Sequence, residues 1–205
     1  MSAPRIAVVD YGIGNLRSAE KALQHLGADA RLTSDVRAIQ AAGAVVLPGV
    51  GAFGACMQAL RAAGLEGATK SAATDGRPFL GICIGMQMLF DGSDETPDVA
   101  GLGVVRGRVT RLPPTVRLPQ MGWNTLDVSA GSRLGAHLPD PAWLYFVHSY
   151  APEPEPVGVV SAWCDYGRRF AAAVEDGPLW ATQFHPEKSG DVGMRMLRNF
   201  VEAVG

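Results

Sequence analysis

Three side chains capable of acyl chemistry stand at informative spacing in this chain. The first is Cys83, in Pro78-Phe79-Leu80-Gly81-Ile82-Cys83-Ile84-Gly85-Met86-Gln87. An apolar run leads into a cysteine between glycines, and a helical pattern follows. Gly81-x-Cys83-x-Gly85 is a sulfur counterpart of the nucleophile elbow. The others are His185 and Glu187, in Thr182-Gln183-Phe184-His185-Pro186-Glu187. Residues two apart on an extended segment share a side, and Pro186 biases the residue before it toward extended conformations. His185 can then face a nucleophile while Glu187 orients the imidazole from behind. A cysteine, a histidine and a carboxylate in these roles make a Cys-His-Glu triad.

A cysteine attacks an acyl carbon as the thiolate. A helix N-terminus and a neighbouring imidazolium both favour that form. Gly81 and Gly85 let strand and helix close around a sharp turn, which aims Sγ out of the sheet and leaves the N–H of Ile84 facing the same space. Leu47-Pro48-Gly49-Val50-Gly51-Ala52-Phe53 repeats the strand, glycine turn, helix pattern. With no Cβ in the way, Gly49 and Gly51 can bring a backbone N–H of the Val50-Gly51 segment close to a ligand as a second oxyanion donor. The spelling Gly49-x-Gly51-x-x-Gly54 also matches a dinucleotide fingerprint. That reading is set aside because the segment follows the third strand and lacks the required acidic residue at a later strand end. Each element alone has a plainer reading: Cys83 as a buried thiol in a turn, and His185-Glu187 as a solvated loop.

The elements that would position these groups follow a β-α-β-α order in the first half. Strands are expected at Arg5 to Asp10, Ala28 to Thr33, Ala44 to Pro48 and just before Cys83. Helices are expected at Asn15 to Leu26, Phe53 to Ala63, ahead of Gly76, and from Met86 to Phe90. This order favours an α/β fold with a mostly parallel sheet. The second half is β-rich, with strands expected at Val104 to Arg111, Trp143 to Val147, Gly158 to Trp163, Phe170 to Val174 and Leu179 to Gln183. Pro113-Pro114 and Pro152 to Pro156 read as loops. Ser189 to Val204 closes the chain as an amphipathic helix.

The 205 residues suit one domain, residues 1–205. A net charge of -2 advertises no surface for nucleic acid. No apolar run is long enough to span a membrane, and Met1 to Asp10 reads as a first strand rather than a signal peptide, so a cytoplasmic location is expected. Cys56, Cys83 and Cys164 are odd in number and widely spaced, which argues against a disulfide framework and a structural zinc site. Cys56 and Cys164 are expected to be buried or half-buried.

The elbow and His185-Pro186-Glu187 together resemble the class I (triad) glutamine amidotransferases. Four further segments narrow the resemblance: Asp10-Tyr11-Gly12-Ile13-Gly14-Asn15-Leu16, Pro48-Gly49-Val50-Gly51-Ala52-Phe53, Gln120-Met121-Gly122-Trp123-Asn124 and Phe146-Val147-His148-Ser149-Tyr150. Jointly they are similar to the glutaminase subunits of imidazole glycerol phosphate synthases, of histidine biosynthesis. The resemblance runs from Ile6 to Phe200. It implies a flavodoxin-like class I glutamine amidotransferase fold, with a mostly parallel central sheet, helices on both faces and an added β-rich segment in the second half.

The resemblance also implies roles. Cys83 attacks the carboxamide of glutamine, His185 moves the proton, and Glu187 holds His185. Val50, Gly51 and Ile84 form the oxyanion hole. Gly51, Gln87, Ser149 and Tyr150 bind the glutamine. Asn15, Trp123 and Lys188 lie near the interface with a cyclase subunit, a (β/α)8 barrel that completes a heterodimer. That subunit uses the ammonia to make imidazole glycerol phosphate and an aminoimidazole carboxamide ribonucleotide. No metal and no organic cofactor is implied. Read without the resemblance, Asn15 could be a helix cap, Trp123 a core residue and Lys188 a solvated charge.

Three rival readings fit the residues less well. A glutaminase serving pyridoxal phosphate synthesis would continue its glycine-rich segment as Gly-Gly-Glu-Ser, where this chain has Pro48-Gly49-Val50-Gly51. A cysteine hydrolase of similar core does not need a downstream His-Pro-Glu on a separate strand. A catalytically silent assembly subunit would not need Cys83, His185 and Glu187 together. The glycines add one expectation: the peptide between Gly49 and Gly51 can rotate at low steric cost. A carbonyl turned into the oxyanion site would then keep the isolated chain slow, by about 10²–10³ for one lost donor.

Overall fold

The structure is a computed structural model that describes residues 3–155 and 157–205. The first half alternates β1 (Arg5–Val9), α1 (Leu16–His25), β2 (Asp29–Thr33), α2 (Val36–Ala41), β3 (Ala44–Gly49), α3 (Phe53–Ala62), α4 (Glu66–Thr74), β4 (Phe79–Cys83) and α5 (Ile84–Gln87). The second half holds β5 (Gly92–Ser93), β6 (Gly107–Arg111), β7 (Gln120–Val128), β8 (Ala142–His148), β9 (Tyr150–Pro154), β10 (Val160–Asp165), β11 (Arg169–Asp176) and β12 (Leu179–Thr182). The closing helix is α6 (Gly190–Val204).

Among the described residues the strands form two sheets. The larger runs β2-β1-β3-β4-β12-β11-β10-β7-β8, and the smaller runs β5-β6-β9. From β2 to β12 every pairing in the larger sheet is parallel. From β12 to β8 every pairing is antiparallel. β12 is therefore the seam: it pairs parallel with the nucleophile strand on one side and antiparallel with the β-rich half on the other.

Every residue of β3, β4 and β12 is buried, which requires layers on both faces and explains the continuous apolar runs. α1 packs against α6, α2 against α4 and α3 against α5. α1 buries Leu16, Ala19 and Leu23, and α6 buries Gly193, Met196, Leu197 and Phe200; both follow the spacing of one helical face.

Two readings of the sequence need correction. Met86 to Phe90 does not begin a longer helix, because α5 is a single turn that ends at Gln87. Leu89 and Phe90 close turns onto Met86 and Gln87, and the carbonyls of Met88, Leu89 and Phe90 then accept N–H groups from Leu102 to Val105. Pro152 to Pro156 is not simply a loop. Tyr150–Pro154 is β9, antiparallel to β6, and it tolerates proline because it lies at an edge; Pro156 lies outside the described residues. α2 and β7 were not anticipated as elements.

Candidate active site

Cys83 ends β4 with φ 56 and ψ -111, a conformation that a side chain adopts only under strain. Packing against β3 holds it there. A Cβ on Gly85 would stand 1.8 Å from the carbonyl oxygen of Leu47, and one on Gly49 would stand 2.7 Å from the Tyr11 hydroxyl and 3.0 Å from the Gly85 nitrogen. The two glycine turns are thus pressed together backbone to backbone.

His185 follows β12 after Gln183 and Phe184. Its backbone is tied from both sides: its N–H donates to Tyr145 C=O at 3.0 Å, and its carbonyl accepts the Ser189 hydroxyl at 2.6 Å. Ser189 Oγ in turn accepts the Tyr145 N–H at 2.9 Å. The ring Nδ1 lies 2.8 Å from Glu187 Oε1, with both side chains nearly inaccessible. Burial alone would lower the imidazole pKa, but Cys83 and then Glu187 outweigh it and raise it to about 9. His185 Nε2 has no hydrogen-bond partner. Catalytic hydrogen bonds commonly close only with substrate present.

A cavity of about 440 Å³ opens over these groups. Cys83, Ile84, Gln87 and His185 line one part of it, with Val50 and Gly51 beside them. Ser149 and Tyr150 also line it, as do Asn15 and Lys188. Of the residues singled out in the sequence, Glu187 stands behind His185, and Trp123 does not reach the cavity. Trp123 is 54% exposed, which excludes the core reading. Asn15 occupies the position before α1 without capping it through its side chain; its Oδ1 accepts the Ser18 hydroxyl at 2.8 Å. Lys188 is exposed.

The structure adds residues that spacing did not reveal. Glu95 lines the cavity and accepts the Phe53 N–H at 2.7 Å, which caps α3 from a distant loop. His148 lines it too, with Nδ1 2.8 Å from Tyr150 C=O. Its ring packs on Phe146 and Phe170. Burial pushes its pKa down to about 4 against the Tyr150 carbonyl, and His185 and Arg168 push the same way. His148 is therefore neutral at pH 7 and donates from Nδ1. Gln183 is fully buried and touches Cys83. The sequence signal available for Gln183 was its place two residues before His185, hence on the same side of an extended segment. Cys56 and Cys164 are buried free thiols.

The fold and this site define a class I glutamine amidotransferase domain: residues 7–204 match the family model described as "Glutamine amidotransferase class-I". Among curated relatives, "Imidazole glycerol phosphate synthase subunit HisH" of Methanothermobacter thermautotrophicus is 50% identical, covering 97% of this chain and 98% of the relative. The protein of the same name from Mycobacterium bovis is 48% identical over 100% of both chains. The chain therefore belongs to the HisH family within the class I glutamine amidotransferases. Solved structures agree at the level of fold. PurLQS from Thermotoga maritima superposes with a TM-score of 0.75 at 18% identity, covering 98% of this chain and 97% of that one. A structure described as glutamine amidotransferase superposes at 0.72 and 24% identity, covering 97% and 98%. No helix among the described residues is long and apolar enough to cross a membrane.

Proposed function

We propose that residues 1–205 act in the cytoplasm as one glutaminase domain that makes ammonia for a cyclase subunit of imidazole glycerol phosphate synthase. The observation that carries this reading is the pairing of Cys83 with an imidazole that Cys83 and Glu187 together hold protonated at neutral pH. A charged imidazolium beside the sulfur favours the attacking thiolate.

In the proposed reaction, Cys83 Sγ forms a bond to the carboxamide carbon of glutamine. The oxygen becomes an oxyanion facing the N–H of Ile84, which opens α5 and has no partner within the helix, and the N–H groups of the Val50-Gly51 segment. Protonated His185 gives its proton to the nitrogen as the C–N bond breaks, and ammonia leaves. Neutral His185 then takes a proton from water. The hydroxide portion adds to the thioester, the C–S bond breaks, and glutamate departs. Glu187 keeps Nδ1 occupied throughout, so Nε2 is the nitrogen that exchanges protons. Gln87, Ser149, Tyr150 and Gly51 seat the substrate, and the Glu95 carboxylate on the cavity wall complements its ammonium group.

Ammonia then passes to a (β/α)8-barrel partner in a heterodimer. Trp123 supports this docking face. It lies opposite Tyr145 in the β7–β8 register, on the side shared with Met121 and Trp143. Met121, Trp123 and Trp143 are 66%, 54% and 49% exposed, an apolar stripe of the kind that marks an interface. Asn15 and Lys188 line the same cavity as the nucleophile.

The expected regulation has a physical frame. Pro48 C=O accepts the Tyr11 hydroxyl at 2.8 Å, and Val50 C=O accepts the Cys56 thiol at 3.3 Å. The carbonyls on either side of the Gly49–Val50 peptide are thereby held, and rotation is confined to that peptide. The test is ammonia release from glutamine, with and without cyclase and its nucleotide substrate, in the native chain and in Cys83→Ala. Stimulation of the native chain by the partner, and loss of activity in the alanine variant, is the expected result. Ammonia release that survives Cys83→Ala refutes the nucleophile. Full activity of the lone chain refutes the regulation.

A further inference from the structure

Gln183 is fully buried, carries a neutral amide, and is given no part in the reaction above. Its Nε2 lies 3.8 Å from Cys83 Sγ, within reach of an N–H···S hydrogen bond. Its Oε1 accepts from Gln87 Nε2 at 2.9 Å. Gln87 Nε2 also donates to the backbone carbonyl of Tyr150 at 3.0 Å.

The direction of this chain of bonds is dictated from one end. A backbone carbonyl can only accept, so the group that Gln87 turns toward Tyr150 must be its NH2. Both of its hydrogens are then committed, to Tyr150 and to Gln183. Gln183 must meet that NH2 with its oxygen, which leaves its own NH2 facing sulfur. Turning Gln87 over would set its oxygen against the oxygens of Tyr150 and Gln183; turning Gln183 over would set donor against donor and its oxygen against the sulfur. Two buried amides are thus locked by a carbonyl on β9, and they end in an N–H aimed at the nucleophile. The remaining atom of the network agrees: Gln87 Oε1 is buried with no partner, as expected of an acceptor left for a substrate donor in the cavity that Gln87 lines.

We infer that Gln183 supports the anionic sulfur of Cys83 with a fixed N–H whose direction is set by Tyr150 C=O through Gln87. A hydrogen bond to a charged group is stronger than one between neutral groups. The donor therefore favours sulfur as thiolate before attack, and again as the group expelled when water opens the thioester. Both gains vanish where sulfur is neutral or acylated, so the donor acts on the reaction rather than on substrate binding.

The inference rests on Cys83 being the nucleophile, and the two can fail separately. The experiment measures alkylation of Cys83 by iodoacetamide across pH, with the modified residue located by peptide mass mapping, in the native chain, Gln183→Leu and Gln183→Glu. No glutamine is present, so the substrate-binding role of Gln87 does not enter. Near pH 7, alkylation in Gln183→Leu is expected to slow on the order of tenfold, from the loss of one charge-assisted bond. It should slow further in Gln183→Glu, which sets a carboxylate against the sulfur. At high pH, where the thiol is ionised in every variant, the rates should converge. A purely structural role would slow alkylation equally at all pH values. Rates equal to native, or a deficit that does not close with pH, overturn the inference. If Gln183→Leu loses its fold by circular dichroism, the nearly isosteric Gln183→Glu carries the test. Activity that survives Cys83→Ala would instead remove the nucleophile reading itself.

Discussion

One stretch of the cavity lining comes where β3 and β4 end in glycine turns that touch backbone to backbone and present a strained cysteine with main-chain donors around it. A second stretch of the lining comes where the chain leaves β8 of the large sheet, passes Ser149, and enters β9 of the small one. That stretch presents side chains on an aromatic bed. Each has its buried histidine, and the two titrate in opposite directions. His185, with Glu187 at its back and Cys83 in front, is raised to about 9. His148, bonded only to a carbonyl and packed on phenylalanine rings, is lowered to about 4. The ring is the same and the burial similar, so the neighbouring charge decides. A partner anion turns a buried imidazole into a stable cation, and its absence leaves burial to act alone.

The largest way to break this contrast is to remove the anion. In Glu187→Gln the ring loses its charged partner and the control of its tautomer. Glutamine hydrolysis should fall by about 10³–10⁴, as for a carboxylate lost from a triad, with the fold intact by circular dichroism. A loss below tenfold would show that Glu187 does not orient the base.

The next test is steric. Gly85→Ala places a methyl group within the Leu47 carbonyl. Overpacking of this kind typically costs 1–3 kcal/mol, and a backbone obstacle cannot rotate away, so about 3 kcal/mol or more is expected in urea unfolding. An unchanged midpoint would show that the elbow is looser than this packing requires.

The second stretch is tested by pH. Unfolded, the His148 imidazole titrates near 6.5; folded, near 4. Between those values the unfolded chain takes up the proton and the folded chain does not. Stability therefore falls as pH drops from 6.5 toward 4, by roughly 3 kcal/mol if the whole shift is expressed. His148→Phe should flatten that acid slope in thermal unfolding scans. His185 has the reverse sign: its contribution is fully present below pH 6.5 and is lost as pH rises through 9, so His148→Phe should leave the alkaline slope unchanged. An acid slope as steep as native in the variant would refute this division.

The smallest effect is expected at the apolar stripe of the β7–β8 hairpin. Trp123→Ala should weaken association with the cyclase about tenfold to thirtyfold, as for an exposed aromatic anchor, while glutaminase activity of the saturated complex stays near native. Titration by calorimetry reads the first, and ammonia release at excess cyclase reads the second.

Much of this was legible in the linear chain because it is local. The Cys83 elbow, the His185-Pro186-Glu187 segment and the continuous apolar runs of β3 and β4 each fit within a few residues, where backbone sterics and side-chain periodicity act. Trp123 shows the limit: its type suggested core, and only the edge position of the β7–β8 hairpin left it exposed. α5 shows another, since its helical pattern was overruled by carbonyls pairing with the 102–105 segment.

What no window of sequence could contain is the set of partners drawn from distant segments. Gln183 meets Cys83 because β12 lies parallel beside β4. Glu95 reaches Phe53 from another loop. His148 is neutral because Phe170 arrives from a different strand, and His185 is charged because Cys83 does. Hydrogen bonds and charge coupling depend on distances of a few ångströms and on burial, and both are properties of the assembled sheet. The reactive atoms were written in the chain; their protonation and their aim came from packing.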